Sequence, residues 1–465
     1  MKRKKKLTLP SWLRSALHPS TLTVLKIKKE IFAPSRVLMA GFFLVILVGS
    51  LLLHLPAAST HGRLSYIDAL FTATSAVCVT GLSVLDPGRD LTLLGQVILI
   101  LLIQLGGLGF MTFGTMLLIV LRKRITLSER LLISNSLNED GLQGIVRLVM
   151  RIMGLTLSIE GIGAVLLMTR LIPKHGVARG VWYSIFHAIS AFCNAGIDLM
   201  GIRIPFSSLT LYAANPLVNL VIMALIIIGG IGFLTWEDIR SNHLHFSRYR
   251  MQSKVILTTT AILILLPALY FYFGEFRQGG FGTRILLSLF QSVTPRTAGF
   301  NTADFSKLTE SGQILTIILM LIGGSPGSTA GGMKTPTVAV LTSTAVSVFR
   351  RNENPELFRR RIAPETVANA ASILMMYLCL CLTGAFLISR IEELPMMACM
   401  FETASAVGTV GLSFGITPGL GSISRIILII LMYLGRVGGL TLIYAALSGH
   451  RIRFGKYPLE KITVG

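Results

Sequence analysis

The feature that most constrains this chain is a series of apolar stretches long enough to cross a lipid bilayer. A transmembrane helix needs about 20 predominantly apolar residues. We predict eight spans, near residues 37–55, 91–121, 145–171, 214–235, 255–274, 311–347, 367–390 and 423–448. Charged residues make up 14% of the 465 residues, against about 25% in ordinary soluble proteins. This composition excludes a disordered chain and argues against a soluble enzyme.

The basic residues lie in short clusters between the apolar stretches, and they predict the orientation of the chain. The net charge is +22, and Lys and Arg accumulate in the cytoplasmic loops of membrane proteins. With the N-terminus inside, 28 Lys and Arg lie in the cytoplasmic segments 1–35, 122–151, 240–254, 348–366 and 449–465. Both termini are therefore predicted to be cytoplasmic, which requires an even number of spans. Clusters of this kind indicate membrane topology rather than nucleic-acid binding.

A short glycine-containing segment repeats four times in the outer connections. The copies read SAVCVTGLS, SAFCNAGID, TPRTAGFN and SAVGTVGLS, aligned on Gly81, Gly196, Gly299 and Gly411 at spacings of 115, 103 and 112 residues. A phenylalanine precedes each glycine by nine or ten residues, and a glycine cluster follows in the next span. Such a period indicates an internal structural repeat. Each unit is predicted to be a span, a short re-entrant helix, an extended glycine segment and a second span.

The predicted fold is an all-α membrane protein with four pseudo-repeated helix–pore helix–filter–helix units around one central pore. We place a cytoplasmic basic N-terminus at 1–35 and a cytoplasmic C-terminus at 451–465. The four units between them are predicted at 36–122, 123–240, 241–350 and 351–450.

The repeated glycine segments are predicted to form a selectivity filter for a monovalent cation. Non-helical backbone at membrane depth is tolerated only where it lines a watery cavity or is buried in protein. Rings of backbone carbonyls replace the water shell of an alkali cation. The side chain of Asn194 either faces the ion path or braces the filter by a hydrogen bond. The alternative interpretation of the four glycines is that they only allow helices to pack closely. The predicted filter residues are Val79, Thr80, Gly81, Asn194, Ala195, Gly196, Thr297, Ala298, Gly299, Thr409, Val410 and Gly411.

The sixth span contains the sequence GGSPGSTAGGMKT at 323–335, which predicts a broken helix and a gate. A glycine costs about 1 kcal/mol in a helix interior and a proline about 3 kcal/mol, so a continuous helix is improbable here. A flexible loop of small residues below a filter is suited to closing a pore. The predicted gate residues are Gly323, Gly324, Ser325, Gly327, Ser328, Thr329, Gly331, Gly332, Lys334 and Arg436.

Arg436 stands in the glycine cluster LGRVGG of the last span, where the other copies have glycine. An arginine at the centre of a span costs roughly 2.5–3.5 kcal/mol, so it must have partners. The hypothesis is that Arg436 contacts the 323–335 loop, holds the gate shut and repels cations. The alternative is that it reaches the inner membrane surface or pairs with an acidic residue.

Other polar residues within the membrane have two interpretations. Glu160 lies inside a predicted span, so it is either functional or a hydrogen-bonded packing contact. Arg296 is charged and lies next to the filter, and we predict that it pairs with Glu402. Cys78 and Cys193 occupy equivalent positions before their glycines and are interpreted as buried thiols behind the filter rather than a metal site.

The segments CVTGLS, CNAGID, RTAGFN and TVGLS, together with GGSPGSTAGGMKT and LGRVGG, resemble the Trk/Ktr/HKT superfamily of potassium transporters over about residues 36–450. The chain is most similar to the bacterial KtrB membrane subunits, because it lacks an extra N-terminal hairpin. The resemblance implies potassium uptake across a bacterial plasma membrane, often sodium-dependent, by a homodimer. It also implies a cytoplasmic regulatory ring of RCK type (KtrA-like) that binds the nucleotide, while this chain itself binds no cofactor. Gly81 favours potassium, since some plant relatives with serine there favour sodium.

The segments 122–144 and 350–365 are the predicted docking surfaces for such a ring, and the basic N-terminus either docks there too or binds anionic lipid heads. The alternatives in function are a sodium-selective or non-selective cation pathway, or a cation-coupled secondary transporter. The latter usually shows inverted repeats, whereas the copies here are parallel. No nucleophile–base pair or phosphate-binding loop indicates an enzyme.

Overall fold

The computed structural model describes residues 34–109, 145–202, 204–243, 245–352, 354–438 and 460, and these ranges are mostly helical. The first two predicted units contain helices α1 (Pro34–Leu53), α2 (Tyr66–Val77), α3 (Pro87–Asp90), α4 (Leu93–Leu108), α5 (Ile145–His175), α6 (Val177–Phe192), α7 (Pro216–Gly230) and α8 (Phe233–Asn242). The last two contain α9 (Met251–Tyr270), α10 (Phe281–Val293), α11 (Glu310–Leu321), α12 (Thr335–Phe349), α13 (Pro364–Glu392), α14 (Met396–Gly408) and α15 (Ser422–Val437). A small antiparallel hairpin joins β1 (Glu356–Leu357) to β2 (Arg360–Arg361).

Four of these helices, α1, α5, α9 and α13, are long and apolar enough to cross a membrane. Helices α4, α11 and α12 are apolar but shorter. The predicted spans 91–121 and 423–448 run into residues 110–121 and 439–448, which lie outside the described residues. The described chain is therefore a helical protein with several membrane-span candidates, and the number eight stays a prediction.

The sixth predicted span is broken where the sequence indicated: α11 ends at Leu321 and α12 begins at Thr335. In the fourth predicted span, at 214–235, helix α7 ends at Gly230 and the chain bends before α8. Helices α7 and α8 meet at 96°. Gly232 has a φ of 92°, which glycine adopts readily. The N–H of Phe233 donates to the carbonyl of Gly327, 2.8 Å away, instead of continuing the helix.

Each unit contains one short helix that lies in the protein interior: α2, α6, α10 and α14. Helix α2 has 12 residues and is therefore about 18 Å long, too short for a hydrocarbon core of about 30 Å. The repeated phenylalanines of the sequence lie on these helices and are completely buried, as Phe71, Phe186, Phe290 and Phe401. We call these four elements the pore helices.

The repeated glycine clusters let the following span pack directly on the end of a pore helix. In three of the four units, a glycine of the repeated cluster lies against the C-terminal end of the pore helix. A Cβ atom on that glycine would overlap the backbone carbonyl of the last or second-last residue of the pore helix. The pairs are Gly106 with Val77, Gly229 with Phe192, and Gly435 with Val407. The second repeated motif is thus explained by close helix approach, for which small residues are required.

An ion pair links the last unit to the first. Arg425 on α15 donates to the carboxylate of Asp68 on α2, and also to the carbonyl of Pro418 at 3.0 Å. The two charged side chains are only 19% and 27% exposed. Because 357 residues separate the partners, this contact joins the two ends of the described fold.

We expect Arg425→Met to lower the stability of the protein by about 1–2 kcal/mol, because it removes a charged hydrogen bond that is partly shielded from water. The measurement is the unfolding temperature in detergent. Lys307→Met is the matched control, since the Lys307–Asp304 pair is 81% and 50% exposed and such surface pairs contribute little. Equal effects of the two substitutions would contradict the role of the Asp68–Arg425 pair.

Candidate functional site: a glycine ring and the loop beside it

The four glycine segments leave their pore helices with the same backbone conformation. The residue two positions before each glycine has a positive φ: 56° at Val79, 59° at Asn194, 66° at Thr297 and 53° at Thr409. Such values are uncommon for residues other than glycine. The glycines that follow also have positive φ, between 64° and 93°. This shared conformation shows that the sequence repeat is a repeat of backbone geometry.

The amide groups of these segments are bound to the pore helices behind them. The residue just before the glycine donates its N–H to a carbonyl in the last turns of its pore helix or just beyond the helix end. The donor–acceptor pairs are Thr80–Ser75, Ala195–Ser190 and Val410–Ser405 at 2.8 Å, and Ala298–Thr294 at 3.0 Å. In a planar trans peptide the C=O and N–H point in opposite directions, so the carbonyl of the residue two positions before each glycine points away from its pore helix.

The carbonyls of the residues just before the four glycines form a ring of contacts that passes through all four units. A Cβ atom on Gly81 would lie 2.6 Å from the carbonyl oxygen of Ala195, and one on Gly196 would lie 2.6 Å from that of Ala298. The corresponding neighbours of Gly299 and Gly411 are the carbonyl oxygens of Val410 and Thr80. The carbonyl of each unit therefore contacts the glycine of the preceding unit, and the carbonyl of the first unit contacts the glycine of the fourth. We call Gly81, Gly196, Gly299 and Gly411 the ring glycines.

Side-chain hydroxyls and one amide brace the ring from behind. Ser75 and Ser405 accept hydrogen bonds from the N–H groups of Gly81 and Gly411, at 3.0 and 2.9 Å. Ser190 donates to the carbonyl of Ile197 at 2.7 Å. The Asn194 amide, oriented to suit its neighbours, donates to the carbonyls of Ala191 and Ile226. Asn194 therefore braces the segment, which decides between its two interpretations.

The predicted pairing of Arg296 with Glu402 is wrong. Arg296 is 5% exposed and donates to the hydroxyl of Thr260 on α9 at 3.2 Å. Glu402 is fully buried and accepts hydrogen bonds from the hydroxyls of Ser413 and Thr417 and the N–H of Phe414. The two residues belong to different units, and Glu402 holds the chain that follows its own ring glycine.

The 322–334 loop between α11 and α12 is bonded to the second unit. Its ends are held together by the bridge between Ile322 and Met333. The N–H groups of Ser325 and Thr329 donate to the carbonyls of Gly230 and Gly229, at 2.9 and 3.2 Å. The Thr329 hydroxyl donates to the carbonyl of Phe192, the last residue of a pore helix, at 3.0 Å. These bonds fix the loop beside the helix ends that carry the ring.

Arg436 links this loop to the first unit. One guanidinium nitrogen donates to the carbonyl of Thr329 at 2.6 Å, and another donates to the carbonyls of Gly106 and Gly107, the latter at 3.2 Å. A guanidinium has five N–H donors, so several carbonyls satisfy it together. The predicted contact with the loop is present. Lys334 of the same loop donates to the carbonyls of Ala330 and Gly331, at 2.7 and 3.2 Å.

The loop also touches the fourth glycine segment directly. A Cβ atom on Gly331 would overlap the hydroxyl of Thr409, and one on Gly332 would lie 2.9 Å from the carbonyl oxygen of Gly408. Thr409 is completely buried, and its hydroxyl has no hydrogen-bond partner among the described residues. These two glycines are therefore required for the loop to approach the ring.

Glu160 takes part in a buried polar contact. It is 4% exposed and accepts hydrogen bonds from the Gln104 amide at 3.1 and 3.3 Å. The same amide group accepts a hydrogen bond from the thiol of Cys193 at 3.4 Å. This geometry supports the packing interpretation of Glu160. In the part of the chain that the structure describes, no three His, Cys, Asp or Glu side chains group to hold a metal.

A cavity of about 150 Å³ lies on the other side of the ring from the loop. The loop contacts residues that precede the ring glycines, whereas the cavity is lined by the ring glycines and the residues that follow them. Among these are Ser83, Asp198, Asn301 and Ser413, each two positions after its ring glycine. The sequence prediction omitted these four residues. The available signal was that all four aligned segments carry an oxygen-bearing side chain at this position.

Comparison with known proteins identifies the family. A family model described as TrkH, cation transport protein, matches residues 38–257 and 250–450. The potassium/sodium uptake protein NtpJ of Enterococcus hirae is 40% identical over 458 residues, covering 96% of this chain and 100% of that protein. Ktr system potassium uptake protein B of Bacillus subtilis is 40% identical over 440 residues, covering 93% and 97%.

A solved structure shows the same fold. The crystal structure of the potassium transporter TrkH from Vibrio parahaemolyticus superposes with a TM-score of 0.68 at 18% identity, covering 87% of this chain and 84% of that one. These findings confirm the resemblance that the glycine segments indicated. The chain belongs to the TrkH family of cation transport proteins, together with the Ktr potassium uptake proteins.

Proposed function

We propose that this protein takes up potassium across the plasma membrane through a filter of backbone carbonyls. The observation that carries the proposal is the closed ring in which the carbonyl before each ring glycine contacts the glycine of the neighbouring unit. Four carbonyls facing one axis replace the water shell of an alkali cation. Relatives named as potassium or potassium/sodium uptake proteins support this ion class. In this proposal, four units and eight spans enclose one pore, and both termini are cytoplasmic.

The 322–334 loop and Arg436 form the gate of this pore. The loop belongs to the third unit and forms hydrogen bonds with the second unit. Arg436 of the fourth unit donates hydrogen bonds both to this loop and to the first unit. A segment anchored on every unit in this way crosses the pore axis next to the filter. The positive charges of Arg436 and Lys334 add an electrostatic barrier to a cation at that point.

Potassium is the proposed transported ion, and sodium is a second candidate because one relative is named a potassium/sodium uptake protein. Gly81 in the first unit favours potassium. The chain itself is proposed to bind no cofactor and to catalyse no reaction. Sodium-dependent activation and a homodimer follow from the family resemblance and belong to the same proposal.

A cytoplasmic RCK-type ring that binds a nucleotide is the proposed regulatory partner. Relatives named as components of a Ktr system support a partner subunit. Within the predicted docking segment 350–365, the hairpin β1–β2 exposes Arg359, Arg360 and Arg361. The other predicted docking segment, 122–144, and the basic N-terminus up to residue 33 lie outside the described residues.

The filter is tested by Gly81→Ser and Gly299→Ser. A side chain at either position meets a neighbouring carbonyl, and the backbone has a positive φ that serine adopts only with strain. We expect potassium uptake to lose its preference over sodium by about tenfold or more, since a shift of ~1.4 kcal/mol between the two ions suffices. The measurement is uptake of both ions in a bacterial host without its own potassium uptake systems.

The matched control for these substitutions is Gly282→Ser, because a Cβ atom there meets nothing within 4 Å. It is expected to leave selectivity unchanged. Unaltered selectivity in Gly81→Ser and Gly299→Ser, with normal protein levels, would refute the carbonyl filter.

The gate is tested by Arg436→Gln. The substitution removes hydrogen bonds from a charged donor, each worth about 1.5–3 kcal/mol, so the loop is released. We expect basal potassium flux into proteoliposomes to rise about tenfold. Arg390→Gln, at an exposed arginine of α13, is the control. A flux equal to that of the wild type would show that Arg436 does not hold the gate.

The contact between loop and filter is tested by a double-mutant cycle at Gly331 and Thr409. Gly331→Ala overpacks the site, at a cost of about 1–3 kcal/mol, and we expect it to reduce uptake and potassium preference together. Thr409→Ala removes the overlapping hydroxyl and is expected to restore much of both in the double variant. Gly161→Ala, which meets nothing within 4 Å, is the control. Additive effects of the two substitutions would mean that the two sites act independently.

A further inference from the structure

The cavity beyond the ring is built by all four units in equivalent positions. All four ring glycines line it, so it lies on the axis that the ring encloses. Around it, two residues after each glycine, stand a serine, an aspartate, an asparagine and a serine: Ser83, Asp198, Asn301 and Ser413. The cavity wall therefore carries a second ring, made of side-chain oxygens instead of backbone carbonyls.

The chemistry of this second ring suits an alkali cation. Carboxylate, amide and hydroxyl oxygens are the ligands that hard cations prefer. The side-chain oxygen of Asn301 is buried and has no hydrogen-bond partner among the residues that the structure describes. Among the described residues that line the cavity there is no lysine or arginine. A cation that enters therefore meets acceptor oxygens on the described part of the wall.

Asp198 supplies the negative charge. Its carboxylate accepts hydrogen bonds from the N–H of Met200, at 2.8 Å, and from Ser208. A carboxylate has about four lone-pair positions, so it retains acceptor capacity toward the cavity. Asp86 also lines the cavity, but its two oxygens accept the N–H groups of Gly88 and Phe206. Asp86 therefore braces the wall and adds to the negative potential.

The size of the cavity indicates the state of the ion. About 150 Å³ corresponds to roughly five water molecules at about 30 Å³ each. An ion with about four waters fits in this volume. The cavity is therefore a place where part of the water shell is retained before the ring carbonyls replace it.

We propose that Ser83, Asp198, Asn301 and Ser413 form a recruitment site for a partly hydrated monovalent cation at the entrance to the filter. Asp198 provides the charge, and the other three side chains provide neutral oxygens. The proposal rests on the proposed function, since it takes the ring to be the ion path. The site raises the local cation concentration and does not itself select between potassium and sodium.

The test is Asp198→Asn, which keeps the oxygen that accepts the Met200 N–H. We expect the apparent KM for external potassium to rise about three- to tenfold, with an unchanged maximal rate and an unchanged preference over sodium. Asp304→Asn is the matched control, because Asp304 is an exposed acidic residue of the same outer connections, and its KM is expected to stay that of the wild type. Uptake is measured as a function of external potassium at constant ionic strength.

A second variant moves the charge around the ring. In Asp198→Asn/Asn301→Asp the carboxylate stands at the equivalent position of the next unit, and we expect the KM to return toward the wild-type value. Asn301→Asp alone adds a charge and is expected to lower the KM, which keeps the proposal testable if Asp198→Asn fails to fold. A KM that is insensitive to Asp198→Asn, or not restored by moving the charge, would overturn the site.

The failure of this proposal is distinguishable from failure of the filter. If Gly299→Ser changes the preference between potassium and sodium while Asp198→Asn leaves the KM unchanged, the filter stands and the recruitment site is refuted. If Gly299→Ser has no effect on selectivity, the ion path itself is elsewhere, and the recruitment site is refuted with it.

Discussion

The structure depends on the contact between the carbonyl before one ring glycine and the glycine of the adjacent unit. This contact leaves no room for a Cβ atom at Gly81, Gly196, Gly299 or Gly411. It also requires the unusual backbone conformation that ends each pore helix. The N–H groups just before the ring glycines are bound to the pore helices behind them, and in the proposed function the carbonyls bind the ion. The need for glycine at four equivalent positions thus determines how closely the four segments approach each other and which backbone groups lie where they meet.

The packing around the ring follows from the same need for close approach. Gly106, Gly229 and Gly435 bring the spans onto the ends of the pore helices. Gly331 and Gly332 bring the 322–334 loop onto the fourth segment. These close contacts fix the ends of the pore helices, and the ring segments that follow the helices are held in place with them. The loop therefore lies directly against the side chain of Thr409 and the carbonyl of Gly408.

Much of this site was predictable because backbone geometry dictates residue identity. The ring glycines, the buried phenylalanines and the broken sixth span each left a local pattern in the sequence. The contact of Arg436 with the loop was also predictable, since an arginine inside a span requires acceptors. By contrast, the bend at Gly232 arises from a hydrogen bond to Gly327, and nothing near Gly232 in the sequence indicates that distant partner.

Side-chain pairings between units were not predictable for a related reason. Arg296 was expected to meet Glu402, but Arg296 faces Thr260 of its own unit while Glu402 binds the chain after Gly411. The sequence shows that a residue is near a glycine segment along the chain, but it does not show on which side of the pore helix its side chain lies. The sequence shows an oxygen-bearing residue two positions after each ring glycine, but it does not show that the four residues are close in space. They line one cavity because the four glycines meet in the ring and each residue follows its glycine at the same distance along the chain.

The arrangement separates what all four units share from what one unit alone contributes. The ring glycines and the positive φ two residues earlier are common to every unit, as selection by an axial ring requires. The broken span belongs to the third unit and the arginine to the fourth. A pore assembled from four identical chains would repeat the loop and the arginine four times around the axis, where like charges repel. In the proposed function, four units in one chain therefore allow a symmetric filter to be closed by one loop and one arginine.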